Sequence, residues 1–286
     1  MTTMYRLDEN VQIYITNVCN LTCENCITYN NLKFKGHYYF KDYEAYFKEW
    51  SKKLELNSLT IIGGEPFTNP KLIDWTMSIK SLWPNLKEID IATNGTYLKH
   101  KIKECQELLR QNIWLDINVH DPSLFHEIEE NLKEIFSIFK NIRKEKSSEY
   151  CDIFYIGSRK IAKLDKKYVF SKKSLRSLKN NIIYMHDSDP SKSHGECGYC
   201  YTFMEGRLYK CFLTAVSKPL CNQFEVEPRA KELLLKYKSC SPFDEEHIIK
   251  EWIENLPNPI EQCRLCTETN TVKQIWPLSK LKTNLV

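Results

Sequence analysis

A chain of 286 residues, 42% hydrophobic and 27% charged, has the make-up of an ordinary globular protein with a large core, either one domain or one domain plus a small extension. Its 41 basic residues exceed its 37 acidic ones by a net +4 spread along the chain, too diffuse for a nucleic-acid-binding surface. No apolar run approaches the roughly 20 residues that span a bilayer, and the opening MTTMYRLDENVQIYI lacks a signal pattern, so a cytoplasmic chain is expected, with no membrane and no specific nucleic acid among its partners.

From residue 11 to about 157, short β-rich runs alternate with segments of helical period. The expected strands are VQIYITNV (11–18), SLTIIGG (58–64), EIDIATN (88–94), IWLDINVH (113–120) and CDIFYIG (151–157), with NIIYMH (181–186) as a sixth. Helices are expected near 41–55, 70–82, 97–111 and 122–145. In the last, Leu124, Ile128, Leu132, Ile135, Phe139 and Ile142 recur on one face behind Asp121 as N-cap and Pro122 as first helical residue.

Strand, helix and strand at this rhythm mean βαβ units and a parallel sheet. Leu115, Ile117 and Val119 alternate with Asp116, Asn118 and His120; Gln12, Tyr14 and Thr16 share one side of the first strand, and Asp90, Ala92 and Asn94 one side of the third. A doubly wound sheet buried on both faces would read as continuous apolar runs, so a polar face points to a barrel lumen. The expectation is an α/β fold, a partial (β/α)6 TIM-like barrel over residues 1–187, with its site at the carboxyl ends of the strands. Asn118, pointing inward near the end of the fourth strand, and His120 on the same face are candidates for ligand contact.

After about residue 187 the texture changes to polar, turn-forming sequence. TFMEGRLYKCFL reads as a hairpin about Glu205-Gly206, and helical stretches at 229–238 and 244–255 lead to NPIEQCRLC. Residues 188–286 are therefore read as a small α+β extension stapled by metal.

Twelve cysteines clustered in a long chain without secretory features indicate metal or redox chemistry rather than disulfides. CNLTCENC places Cys19, Cys23 and Cys26 directly after the first strand; Cys197, Cys200 and Cys211 form a second group, and Cys263 with Cys266 a third. Cys105, Cys151, Cys221 and Cys240 stand apart and read as small buried hydrophobes. Three cysteines on one iron–sulfur cluster leave one iron open to a cofactor or substrate, whereas a four-cysteine site is closed. Zinc, the alternative, needs a fourth ligand, for which His37 is the one neighbour.

This spacing resembles the radical S-adenosylmethionine (SAM) superfamily, whose signature is three cysteines separated by three and then two residues after the first barrel strand. The resemblance implies a [4Fe–4S] cluster on Cys19, Cys23 and Cys26, whose open iron chelates SAM and whose reduction yields a hydrogen-abstracting 5′-deoxyadenosyl radical. Gly63-Gly64-Glu65-Pro66 matches the family's GGEP motif at the end of the second strand, and the Glu65 carboxylate is suited to the cofactor's amino group. ATNG, with Asn94, resembles the third-strand ending; Asn118 is the candidate for the ribose hydroxyls and Arg159 for the cofactor carboxylate. Asn25 occupies the position where the family has an aromatic residue against the adenine.

The second cysteine set resembles the family's auxiliary-cluster extensions, called SPASM with two clusters and twitch with one. Gly206 followed by Cys211 fits the hairpin element, with Cys197 or Cys200 upstream and Cys263 and Cys266 downstream, so one auxiliary [4Fe–4S] cluster is implied, preferably on Cys197, Cys211, Cys263 and Cys266. Zinc knuckles are the alternative, but 62 residues separate Cys200 from Cys263 against about 15–20 in a zinc ribbon. The resemblance extends to one-cluster members that dehydrogenate an aminocyclitol and to those that make the molybdopterin precursor. The latter end in Gly-Gly and this sequence in KTNLV, which favours the dehydrogenase type: an oxidoreductase acting on a sugar, cyclitol or nucleotide, reduced by a flavodoxin or ferredoxin. The alternatives are a ribosomal-peptide-modifying enzyme, for which the strand near residue 11 leaves no leader-binding domain, and a non-catalytic zinc-binding adaptor.

Overall fold

The computed structural model describes residues 4–23, 26–166, 178–179, 182–183, 186–195 and 201–268. In chain order the elements are β1 (Tyr5–Leu7), β2 (Val11–Tyr14), α1 (Phe40–Trp50), β3 (Leu54–Leu56), β4 (Ser58–Ile62), α2 (Leu72–Leu82), β5 (Glu88–Thr93), α3 (Ile102–Arg110), β6 (Ile113–Asn118), α4 (Phe125–Phe136), β7 (Ile142–Ser148), β8 (Cys151–Ile156) and β9 (Arg159–Asp165). There follow β10 (Leu178–Lys179), β11 (Ile182–Ile183), α5 (Pro190–Gly195), β12 (Tyr201–Met204), β13 (Arg207–Tyr209), α6 (Phe212–Ala215), α7 (Ser217–Gln223), β14 (Glu225–Val226), α8 (Pro228–Lys236) and α9 (Glu246–Glu254).

The main sheet has nine strands in the order β13-β12-β2-β4-β5-β6-β9-β8-β7. Six neighbours, β12 through β9, run parallel, and an antiparallel pairing flanks them at each end. The result is an α/β fold on a mixed sheet, open rather than closed into a barrel among the described residues. Apolar residues of the strands pack under α1–α4 in one large core that holds Trp50, Trp75, Leu59, Ile91 and Leu115. Phe203 and Leu208 of β12 and β13 and Ile249 of α9 belong to that same core. A second core joins Tyr14, Tyr29 and Phe34 to Phe212, Leu220, Leu234 and Leu265. No described helix is long and apolar enough to cross a membrane.

Three expectations are corrected. CDIFYIG is not the fifth parallel strand: β8 runs antiparallel between β7 and β9, and β9 takes the parallel place beside β6. The helix foreseen over 122–145 ends at Phe136, and Asn141, at φ +58°, turns the chain into β7. β7 reads IRKEKSS and is exposed beyond Ile142, so its charges suit a solvent-facing sheet edge while mimicking a helix surface in sequence. Of the sixth strand proposed at 181–186, Ile182–Ile183 pair with β10 and β14 in a separate small sheet, and residues 181, 184 and 185 lie outside the described residues. The sixth parallel strand of the main sheet is β12, on the other flank beside β2.

The hairpin foreseen at Glu205-Gly206 is present as β12–β13, with both turn residues at positive φ (+52° and +72°), as a tight primed turn requires. A Cβ on Gly206 would lie 2.6 Å from Tyr46 Cβ, and the Gly206 carbonyl accepts from Trp50 Nε1 at 2.9 Å, so the turn is seated on α1.

Candidate active site

The carboxyl ends of β2, β4, β5 and β6 surround a cavity of about 260 Å³ into which Cys19, Cys23 and Cys26 project. Hydrogen bonding fixes the cysteine loop at its root. Ile15 N–H donates to the Ile62 carbonyl (2.9 Å), Gly64 N–H to Thr16 O (2.8 Å) and Glu65 N–H to Val18 O (2.8 Å), so the end of β4 extends the ladder onto the chain leaving β2. A Cβ on Gly64 would stand 2.3 Å from the Val18 carbonyl oxygen and one on Gly63 2.6 Å from Thr16 Cγ2. The two glycines are thus required by close backbone approach, and both also line the cavity.

Glu65 sits where the ends of β4 and β5 meet. Its carboxylate is wholly buried; Oε1 accepts from Phe67 N–H (3.2 Å) and Thr93 Oγ1 (2.8 Å), and Oε2 from Asn94 N–H (2.8 Å). Burial pushes the carboxyl up to about 7 against the pull of these three bonds. It is a staple between the ends of β4 and β5, which leaves the Gly63-Gly64 backbone as the part of GGEP that faces the cavity. Pro66 starts a short 3-10 turn and is buried beneath it.

Asn94 is held in place by its neighbours. Its Oδ1 accepts from Thr96 N–H (3.0 Å), while its Nδ2 donates to Asn20 Oδ1 (3.1 Å) and lies 3.9 Å from Cys19 Sγ. Each thiol has an outer partner: Leu21 N–H for Cys19 (3.4 Å), Thr28 Oγ1 for Cys26 (3.2 Å) and His120 Nδ1 for Cys23 (3.4 Å). Burial raises the thiols of Cys19 and Cys23, the latter to about 12, so protons must leave when a metal group binds. His120 lines the same cavity, beside Cys23.

Beneath the cysteines the cavity is polar. Asn10 Nδ2 donates to Thr60 Oγ1 (2.7 Å), which donates to Asp90 Oδ1 (3.0 Å); Lys163 Nζ donates to Asp165 Oδ2 (2.6 Å) and lies 3.4 Å from Asp116 Oδ1. Burial, and then Asp116, pushes Asp90 up to about 8. Burial also raises Asp116 against the pull of Lys163, and Lys163 itself is raised because Asp116 and Asp165 outweigh its burial. Gln12 and Asn118 complete the wall, Asn118 donating to its own strand at Asp116 O (3.4 Å).

The structure does not bring Arg159 into this site. It opens β9 at the amino-terminal end of the parallel strands, where its guanidinium meets Asn112 just before β6. His37, the candidate fourth zinc ligand, has its Nδ1 2.7 Å from Thr16 Oγ1 and braces the loop root instead. Asn25, Cys197 and Cys200 lie outside the described residues. Among the described residues no three His, Cys, Asp or Glu side chains converge on a single-ion site. Cys211 is close enough to Cys263 to help push its thiol up after burial, and Ser193 Oγ donates to the Cys263 carbonyl at 2.7 Å, tying α5 to the Cys263–Cys266 turn. Thr60, Lys163 and Asp165 were not foreseen as site residues: Thr60 hides in an apolar strand, and the others lie on β9, a strand absent from the sequence reading.

The donor set suits an iron–sulfur cluster with one open iron: three soft thiol ligands, each with an outer hydrogen-bonding partner, beside a glycine cradle against which a further ligand can rest. GTP 3′,8-cyclase of Listeria monocytogenes is 31% identical over 115 residues, covering 39% of this chain and 34% of that protein. GTP 3′,8-cyclase of Aquifex aeolicus is 27% identical over 135 residues, covering 45% and 42%. The chain thus spans roughly a third to two-fifths of the length of these curated relatives. A solved structure described as native anSMEcpe with bound AdoMet and Cp18Cys peptide aligns with 16% identity over 46% of this chain and 40% of its own, at a TM-score of 0.36. The profile of the radical SAM superfamily matches residues 13–159, just over half of the chain and all of the cysteine loop, and on that match the protein belongs to the radical SAM superfamily.

Proposed function

We propose that this protein is a radical SAM oxidoreductase that abstracts hydrogen from a small polar substrate, a sugar, cyclitol or nucleotide, and carries one auxiliary [4Fe–4S] cluster in residues 188–286. Membership of the superfamily implies a [4Fe–4S] cluster and SAM, and the Cys19–Cys23–Cys26 loop is the place we assign to them. When bound, these groups supply a 5′-deoxyadenosyl radical that takes a hydrogen atom from substrate, and the auxiliary cluster supplies an acceptor for the remaining electron. The protein's own residues divide the other work. Cys19, Cys23 and Cys26 hold the cluster; the Gly63-Gly64 backbone and Asn94 face the cofactor; Asn118 and Gln12 offer hydrogen bonds to hydroxyls; and Asp116 and Asp165 are placed to take a hydroxyl proton. Cys211, Cys263 and Cys266, with Cys197 or Cys200, would hold the second cluster.

The observation that carries this reading is the polar floor under the cysteines, since a lumen of amides, a lysine and carboxylates suits a hydroxylated molecule better than an apolar one. That the curated relatives bear the name GTP 3′,8-cyclase supports nucleotides as one substrate class. The test is anaerobic reconstitution with iron and sulfide. The expected product carries about eight irons per chain and turns SAM into 5′-deoxyadenosine with dithionite or reduced flavodoxin. A chain that retains zinc and yields no 5′-deoxyadenosine overturns the reading.

A further inference from the structure

The Leu21 and Thr28 partners of the cysteine loop come from the loop itself, two residues from the thiols they meet. The partner of Cys23 comes from elsewhere: His120 lies 97 positions away, just past the end of β6, with its Nδ1 3.4 Å from Cys23 Sγ. The backbone around it is anchored on both sides. Val119 N–H donates to the Asp165 carbonyl at 2.9 Å, and Asp121 Oδ1 accepts from Ser123 N–H at 2.9 Å, so neither neighbour is free to carry the ring away. Cys23 is also the most buried residue of the three cysteines, 5% exposed.

We infer that His120 is a positioning residue which donates its Nδ1–H to the Cys23 thiolate and thereby sets the reduction potential of the SAM-binding cluster. A cluster-bound thiolate can only accept, which fixes the imidazole as the donor and Nδ1–H as its tautomer. Hydrogen bonds to ligand sulfurs stabilise the more negatively charged, reduced state and so raise the potential. The inference rests on the cluster reading of the loop but not on any choice of substrate or on the auxiliary cluster.

The test is a redox titration, followed by electron paramagnetic resonance, of the signal that changes when SAM is added, in the reconstituted full chain and two variants. His120→Phe keeps the ring and removes the donor; His120→Asn places an amide N–H where Nδ1 stood. The expected result is a potential lowered by about 30 mV or more in His120→Phe, a threefold change in the one-electron equilibrium at 59 mV per tenfold, with His120→Asn returned most of the way to the wild-type value. A merely structural role would not separate Phe from Asn in this way. Equal potentials in all forms, or equal shifts in Phe and Asn, overturn the inference. Should His120→Phe fail to assemble the cluster, His120→Ala takes its place in the same comparison with Asn. A wild-type chain without any SAM-sensitive signal overturns the cluster reading itself, a different outcome from a normal signal indifferent to residue 120.

Discussion

Glu65 shows how a motif residue can be legible in position while its contacts within the fold are not. GGEP marked the end of a strand near the site, yet the carboxylate is consumed by Phe67, Thr93 and Asn94, partners no local pattern reveals. Glu65→Gln places an amide NH2 opposite one of these donors, and urea unfolding should register a loss of roughly 1–3 kcal/mol; a change within about 0.5 kcal/mol would mean the staple is dispensable. Asp90 gives a pH signature. Its carboxyl is raised from its ordinary range to about 8, so the folded state holds the proton more tightly than the unfolded chain. The stability tied to that proton is complete below pH ~4, falls as pH rises, and is spent above the folded value. Asp90→Asn stays neutral and keeps the Thr60 donor satisfied, so its thermal stability relative to wild type should improve from pH 5 to pH 8, by at most about 1.4 kcal/mol per pH unit. A pH-independent difference would show that Asp90 is ionised in the fold.

The parallel strands β2, β4, β5 and β6 were legible as short β-rich runs between helical segments, with alternating apolar and polar faces in β2, β5 and β6. The β7–β8–β9 meander was not, since β7 carries the charges of a helix surface and the turn about Gly157 lies within what read as a strand end followed by loop. The error mattered for the site, because β9 delivers Lys163 and Asp165 to the cavity and takes Arg159 away from it. The join between β4 and the cysteine loop yields the prediction at this scale. Gly64→Ala forces a methyl to within 2.3 Å of the Val18 carbonyl oxygen, so the chain leaving β2 must shift. Iron incorporation and the absorbance of the reconstituted protein near 400 nm should fall severalfold while far-ultraviolet circular dichroism changes little. Full iron content in the variant would show that this contact can relax at no cost to the loop.

Across the whole molecule, the family profile covers residues 13–159, yet the sheet does not stop there. β12 pairs with β2 and β13 with β12, Trp50 bonds the Gly206 turn, and Phe203, Leu208 and Ile249 enter the main core, so the segment bearing Cys211 is built onto the sheet that bears the cysteine loop. Sequence spacing signalled both cysteine groups, but that β12 would flank β2 was hidden, because pairing between strands nearly 190 residues apart leaves no local trace. If a second cluster resides in the extension, Cys263→Ala should lower iron by about four per chain and spare the SAM-sensitive signal; an unchanged iron count would remove it. The central claim is that the cluster on Cys19, Cys23 and Cys26 has an iron open to SAM. The most direct measurement is the electron paramagnetic resonance spectrum of the anaerobically reconstituted, dithionite-reduced chain with and without SAM. The account predicts a cluster signal whose g-values shift on adding SAM and which is lost in Cys23→Ala; a signal indifferent to both SAM and that substitution would contradict it.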